Sequence, residues 1–112
     1  MVSRTGSSLS RFFLSPCAKR DLVDIKAYLD SVPQMPANKI ARALQMTFRS
    51  IADNPYQGVG QSDLTRLAGV EIRSRLVHSY RILYIVGGTT PEIIGVLHTA
   101  RNVASIMVKR IQ

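Results

Sequence analysis

Apolar residues change period once along this chain, and the change separates two kinds of structure. Ala18, Leu22, Ile25 and Leu29 recur at spacings of four, three and four, which places them on one helical face, with Lys19, Arg20, Asp24 and Lys26 off it. Ser15-Pro16 supplies the start, because Ser caps orphan N–H groups and Pro suits the first helical position. The helix is expected to end near Val32-Pro33. A second helix opens after Pro33-Gln34-Met35-Pro36. Its apolar face is Ile40, Leu44, Phe48 and Ile51, with Ala37, Ala41 and Ala52 alongside and Lys39, Arg42 and Arg49 opposite. Asp53-Asn54-Pro55 stops it. Residues 54–69 follow no period and read as a loop. Beyond them Val70, Ile72, Ser74 and Leu76 alternate with Glu71, Arg73, Arg75 and Val77, which is the period of a strand. His78-Ser79 is a tight connection to a second strand, Tyr80–Val86, ended by Gly87-Gly88, and Ile93–His98 makes a third.

Leu9–Leu14, short and aromatic, reads as a first strand behind a disordered tail over residues 1–7. The expected fold is therefore α+β in the order β-α-α-β-β-β. Two N-terminal helices pack on an antiparallel sheet whose last three strands form a meander, in one domain over residues 8–112. Residues 102–111 read either as a short terminal helix or as a loose tail.

Composition narrows what this domain does. At 112 residues there is room for one core, and 46% hydrophobic content is enough to build it. Fifteen Lys+Arg oppose seven Asp+Glu, a net charge of +8, and eleven of the fifteen are Arg. The guanidinium fork suits phosphate and carboxylate, so nucleic acid or an acidic protein segment is the expected kind of partner; a merely solvated basic surface reads equally well from charge alone. One cysteine, Cys17, excludes an internal disulfide and a Cys-rich metal site. Residues 1–20 contain no acid and are rich in Ser and Arg, as transit peptides are, but no apolar run approaches the ~20 residues of a membrane span. A cytoplasmic protein without membrane attachment is expected.

The candidate chemistry lies on the strands. Arg73 and Arg75 share a strand face, Arg81 begins the next strand, and His98 and Arg101 follow the last. A meander makes these elements neighbours, so the four Arg and the His are expected to converge on one patch for phosphates or for a partner's carboxylates. Alternating Arg is also what the wet face of a strand looks like. His98 continues the Ile94, Val96 face, so it also reads as a buried histidine closing the core. Tyr84 reads as core, and Tyr80 is open between core and base stacking. No metal-ligand spacing, phosphate-cradling Gly motif or nucleophile with a base is present, and no cofactor is expected.

One ordered set of residues resembles a known family. It runs from Ala18 through Asp21-Leu22, Ile25, Tyr28-Leu29, Asn54-Pro55 and Gly58 to Arg73, Tyr80-Arg81-Ile82-Leu83-Tyr84, Val96-Leu97-His98 and Arg101. This resembles the ParE/RelE toxin superfamily of type II toxin–antitoxin systems over about residues 10–101, above all in the strings YRILY and VLHTAR. The resemblance implies a growth-inhibiting, plasmid-stabilization type of toxin. It also implies a cognate acidic antitoxin that wraps and neutralises the toxin, in a hetero-oligomer. RelE-like members cut mRNA on the ribosome, and ParE-like members inhibit DNA gyrase. As an endoribonuclease this chain would have to rely on His98 with Arg81 or Arg101. Residues 56–69 contain no Lys and one carboxylate, Asp63, so a general base is missing. The sequence thus leans to the ParE arm, a binder of gyrase rather than an enzyme. The same fold as an inactive binding module is the third reading.

Overall fold

The computed structural model describes residues 11–112. The elements are β1 (Phe13–Leu14), α1 (Pro16–Asp30), α2 (Gln34–Asp53), a 3-10 turn (Pro55–Gln57), β2 (Val59–Gly60), α3 (Ser62–Ala68), β3 (Glu71–Val77), β4 (Tyr80–Val86), β5 (Glu92–His98) and α4 (Val103–Ile111). The five strands form one sheet in the order β1-β5-β4-β3-β2. β3, β4 and β5 are the expected antiparallel meander, β2 adds antiparallel to β3, and β1 lies parallel to β5, so the sheet is mixed. The first strand is shorter than expected: Arg11 and Phe12 are outside it, and the tail over residues 1–7, with Leu9 and Ser10, lies outside the described residues.

Both long helices start and stop where their sequences direct. Ser15 accepts the Ala18 N–H at 3.1 Å and Pro16 occupies the first turn of α1. From α1, Ala18, Ile25 and Leu29 are buried; from α2, Ala37, Leu44, Phe48 and Ile51. These side chains pack with Val77, Tyr80, Ile82, Tyr84, Val86, Ile93 and Val96 on one face of the sheet. The other face is also covered. Leu64 of α3 and Met107 of α4 close over Ile72, Leu83 and Leu97 as a second core. The domain is therefore three layers, with β4 buried on both sides, which is why Ile82-Leu83-Tyr84 is a continuous apolar run.

Residues 54–69 are not the unstructured loop that their composition predicts: a 3-10 turn, β2 and α3 fill the segment. α3 has seven residues, too few to repeat a helical period. Its end is marked by Gly69, which takes φ 74 as the left-handed cap and donates its N–H to Thr65. The terminal segment is a helix, capped by the Asn102 side chain on Ser105 N–H at 3.1 Å.

α4 is held to α1 across the rim of the sheet. Arg110 donates to both carboxylate oxygens of Asp21, at 2.8 and 2.7 Å, and to the Ile94 carbonyl at 3.1 Å. Asp21 also accepts the Val96 N–H at 2.9 Å. β1 pairs only with Glu92 and Ile93, so these side chains satisfy the backbone of β5 where no strand lies beside it. The buried carboxylate raises the Arg110 pKa further, chiefly through this hydrogen-bonded pair.

Candidate functional site

The five basic residues singled out from the sequence do not form one patch. Arg73 donates to Glu71 at 2.6 Å and to the carbonyls of Tyr56 and Gly58 at 3.1 and 2.9 Å, with its guanidinium 5.4 Å from the Tyr56 ring centre. Its donors are committed to holding residues 55–60 against β3. Tyr84 assists from below, its hydroxyl donating to Pro55 O at 2.6 Å. Burial pushes the Tyr84 phenol above its ordinary range. Arg75 reaches the Ser50 hydroxyl of α2 at 3.2 Å.

Arg81 lies on the opposite face. β3 and β4 pair Val77 with Tyr80, hence Arg75 with Ile82 and Leu76 with Arg81. Directly paired residues share a face, so Arg81 sits with Ser74 on the α3 side, donating to its hydroxyl at 3.2 Å. Ser74 is fully buried, and its hydroxyl also accepts from the Gln61 side chain at 2.8 Å. His98 pairs with Tyr80 on the α1 side. Arg81 and His98 therefore point to opposite faces of the sheet.

His98 is exposed rather than closing the core. A register shift at Leu83/Tyr84 puts Ile93 opposite Tyr84 and Gly95 opposite Leu83, so Ile94 drops out of the pairing and joins the α4-side core. The expected Ile94, Val96, His98 face is broken at Ile94. The His98 ring meets Tyr80 edge-on, centroids 5.3 Å apart, and Nδ1 accepts the Ala100 N–H at 3.0 Å, which leaves Nε2 facing outward as the free position. Tyr80 itself is core, with burial raising its pKa. Together with Asp24, Tyr28, Tyr80 and Arg101, His98 lines an open cleft of about 300 Å³ between α1 and the end of β5. Arg101 has no ion-pair partner among the described residues. Two of the sequence-predicted residues, His98 and Arg101, thus come together in one cleft.

A second recess lies between the two long helices. α1 and α2 diverge to leave a groove of about 610 Å³ lined by Leu22, Ile25, Leu29, Ala41, Leu44 and Phe48, with Lys26 and Asp30 on its rim. Its apolar residues are those that the helical period assigned to the core. Periodicity identifies the face but not how far two helices separate. Among the described residues no group of three potential metal ligands occurs, and no helix is long and apolar enough to cross a membrane.

The sequence model of the family described as ParE toxin of type II toxin-antitoxin system, parDE, matches residues 12–103. The chain belongs to this family. No curated protein sequence matches it. Membership makes this domain the toxin of a type II toxin–antitoxin pair and implies an antitoxin partner. The match spans β1 through the start of α4, so it includes the groove between α1 and α2 as well as the His98 and Arg101 cleft.

Proposed function

We propose that this ParE-family toxin acts by binding and inhibiting DNA gyrase in the cytoplasm, with no RNA cleavage of its own. The observation that carries the reading is the placement of Arg81 and His98 on opposite faces of the sheet. General acid–base cleavage needs both groups within hydrogen-bond reach of one ribose and its phosphate. Two side chains separated by the sheet do not meet that condition, and Arg101, which does share the cleft of His98, is a guanidinium that stays protonated and supplies no second acid–base group. Arg73 is held by three acceptors within the fold and Arg75 and Arg81 are each tied to a serine hydroxyl, whereas Arg101 has no ion-pair partner among the described residues and shares a cleft with His98, so His98 and Arg101 are the proposed target contacts.

The antitoxin is proposed to lay an amphipathic segment into the groove between α1 and α2, folding as it binds, with its acidic residues toward the basic surface. The test is gyrase supercoiling with purified toxin, alongside primer extension on translated mRNA. The expected result is dose-dependent loss of supercoiling that Arg101→Ala weakens, with no new cuts within codons. Codon-specific cuts abolished by His98→Ala, with supercoiling untouched at saturating toxin, would replace this reading with ribosome-dependent endoribonuclease activity. Normal growth on expression of a well-folded toxin would leave the fold as an inactive binding module.

A further inference from the structure

The outward face of α2 carries a second surface, separate from the groove. Met35, Lys39, Arg42, Met46 and Arg49 follow at spacings of four, three, four and three. At ~100° per residue these five fall within an arc of roughly 80°, a stripe about 21 Å long. The groove-lining residues of α2 centre roughly 120° away by the same count, so the two surfaces can be occupied together. Met35 and Met46 are 78% and 65% exposed, and the three cations are exposed too. Beside the last turn of the stripe, Met46, Arg49, Ser50, Asp53, Asn54 and Gln57 line a recess of about 390 Å³.

The composition of this stripe is unusual for a wet helix face. α2 contains one acid, Asp53, in its final turn. Lys39 and Arg42 stand three residues apart, a destabilising like-charge spacing on a helix, and neither has an ion-pair partner among the described residues. Such charges are relieved by carboxylates from outside. Between them stand flexible thioethers, the side chains that adapt best to an apolar partner.

We infer that this face docks an acidic amphipathic helix of a protein partner, its carboxylates against Lys39, Arg42 and Arg49 and its apolar side chains over Met35 and Met46. A second copy of the chain does not fit, because each copy carries +8. A phosphate backbone matches the cations but strands both methionines against a charged, hydrated surface. A helix with apolar residues at heptad spacing flanked by Glu satisfies both features of the stripe.

The test titrates the intact chain with three labelled probes: a three-heptad helical peptide with Leu at the seam and Glu beside it, its Glu→Lys counterpart, and a short duplex DNA. The acidic peptide is expected to bind and the basic one not. Lys39→Glu with Arg42→Glu should weaken the acidic peptide about tenfold or more, and Met35→Ser with Met46→Ser about threefold or more. Arg20→Glu, an exposed reversal on α1, should leave it within about twofold. All five positions are exposed, so circular dichroism should show an unchanged fold. Peptide affinity that ignores the methionine pair, or that falls as much with Arg20→Glu as with the α2 reversal, would reduce the effect to bulk charge and overturn the docking surface. Duplex DNA binding more tightly than the acidic peptide, and lost with the same α2 reversal, would overturn it in favour of nucleic acid. The outcome does not depend on whether gyrase is the target.

Discussion

Removing Arg110 should destabilise the fold by far more than an ordinary charge deletion near a chain end. The side chains of Asp21 and Arg110 are only 7% and 19% exposed. An exposed ion pair is worth well under about 1 kcal/mol. Leaving one member of a buried pair alone costs about 3–5 kcal/mol, because the remaining charge is desolvated without its partner. Arg110→Met should fall near the lower figure, since Asp21 keeps the Val96 N–H and water can enter from the Arg110 side. For a domain of about 100 residues, a loss of about 3 kcal/mol lowers Tm by roughly 12 °C. Asp21→Asn combined with Arg110→Met removes the stranded charge while keeping an acceptor for Val96. The double variant should therefore recover about 2 kcal/mol relative to additivity. Thermal and urea unfolding of the four proteins in the cycle give these numbers. A Tm drop below about 3 °C for Arg110→Met, or strict additivity in the cycle, would refute the claim that this pair anchors α4.

Three further outcomes follow from the segment between α2 and β3. A Cβ on Gly58 would collide with the Tyr84 hydroxyl and stand 2.9 Å from the Ser74 carbonyl, so Gly58→Ala should cost about 2–3 kcal/mol in urea unfolding. Tyr84→Phe strands the Pro55 carbonyl and should cost about 1 kcal/mol at neutral pH. The folded-state pKa of Tyr84 is raised above the ordinary 10.0. Its contribution is therefore fully present below pH 10 and is lost as pH rises through the folded value; stability against pH from 8 to 11 should fall less steeply in Tyr84→Phe. Arg73→Ala frees residues 55–60 from β3, which proteolysis should detect as new cleavage near Tyr56 while the rest of the domain stays resistant.

The long elements were legible because each repeats its period several times. Four apolar positions on α1 and four on α2 specify a face, and the alternation of β3 with the tight His78-Ser79 turn specifies a hairpin. The opposed faces of Arg75 and Arg81 were also within reach of the sequence. A two-residue turn pairs Val77 with Tyr80, and counting back pairs Arg75 with Ile82 rather than with Arg81. Other features leave no periodic trace. α3 is shorter than two helical repeats, and the irregularity at Ile94 changes the face of one residue without changing the composition of its strand. Asp21 gave a signal that composition conceals. It stands three residues after Ala18 and four before Ile25, inside the apolar stripe of α1, where a carboxylate requires a partner. Finding that partner 89 residues away needed the structure.

That separation also bears on how the domain assembles. Asp21 and Arg110 lie 89 residues apart, so their pairing closes a loop that takes in α2, α3 and strands β2 to β5. Closing so long a loop costs chain entropy before its contacts form. Until it closes, the Val96 amide and Ile94 carbonyl lack the guanidinium–carboxylate bridge over them, and the core beneath Met107 lacks its lid. The last turn of α4 thus acts as a clasp: with α4 undocked, both long helices and the sheet remain, but one of the two cores stands open to water.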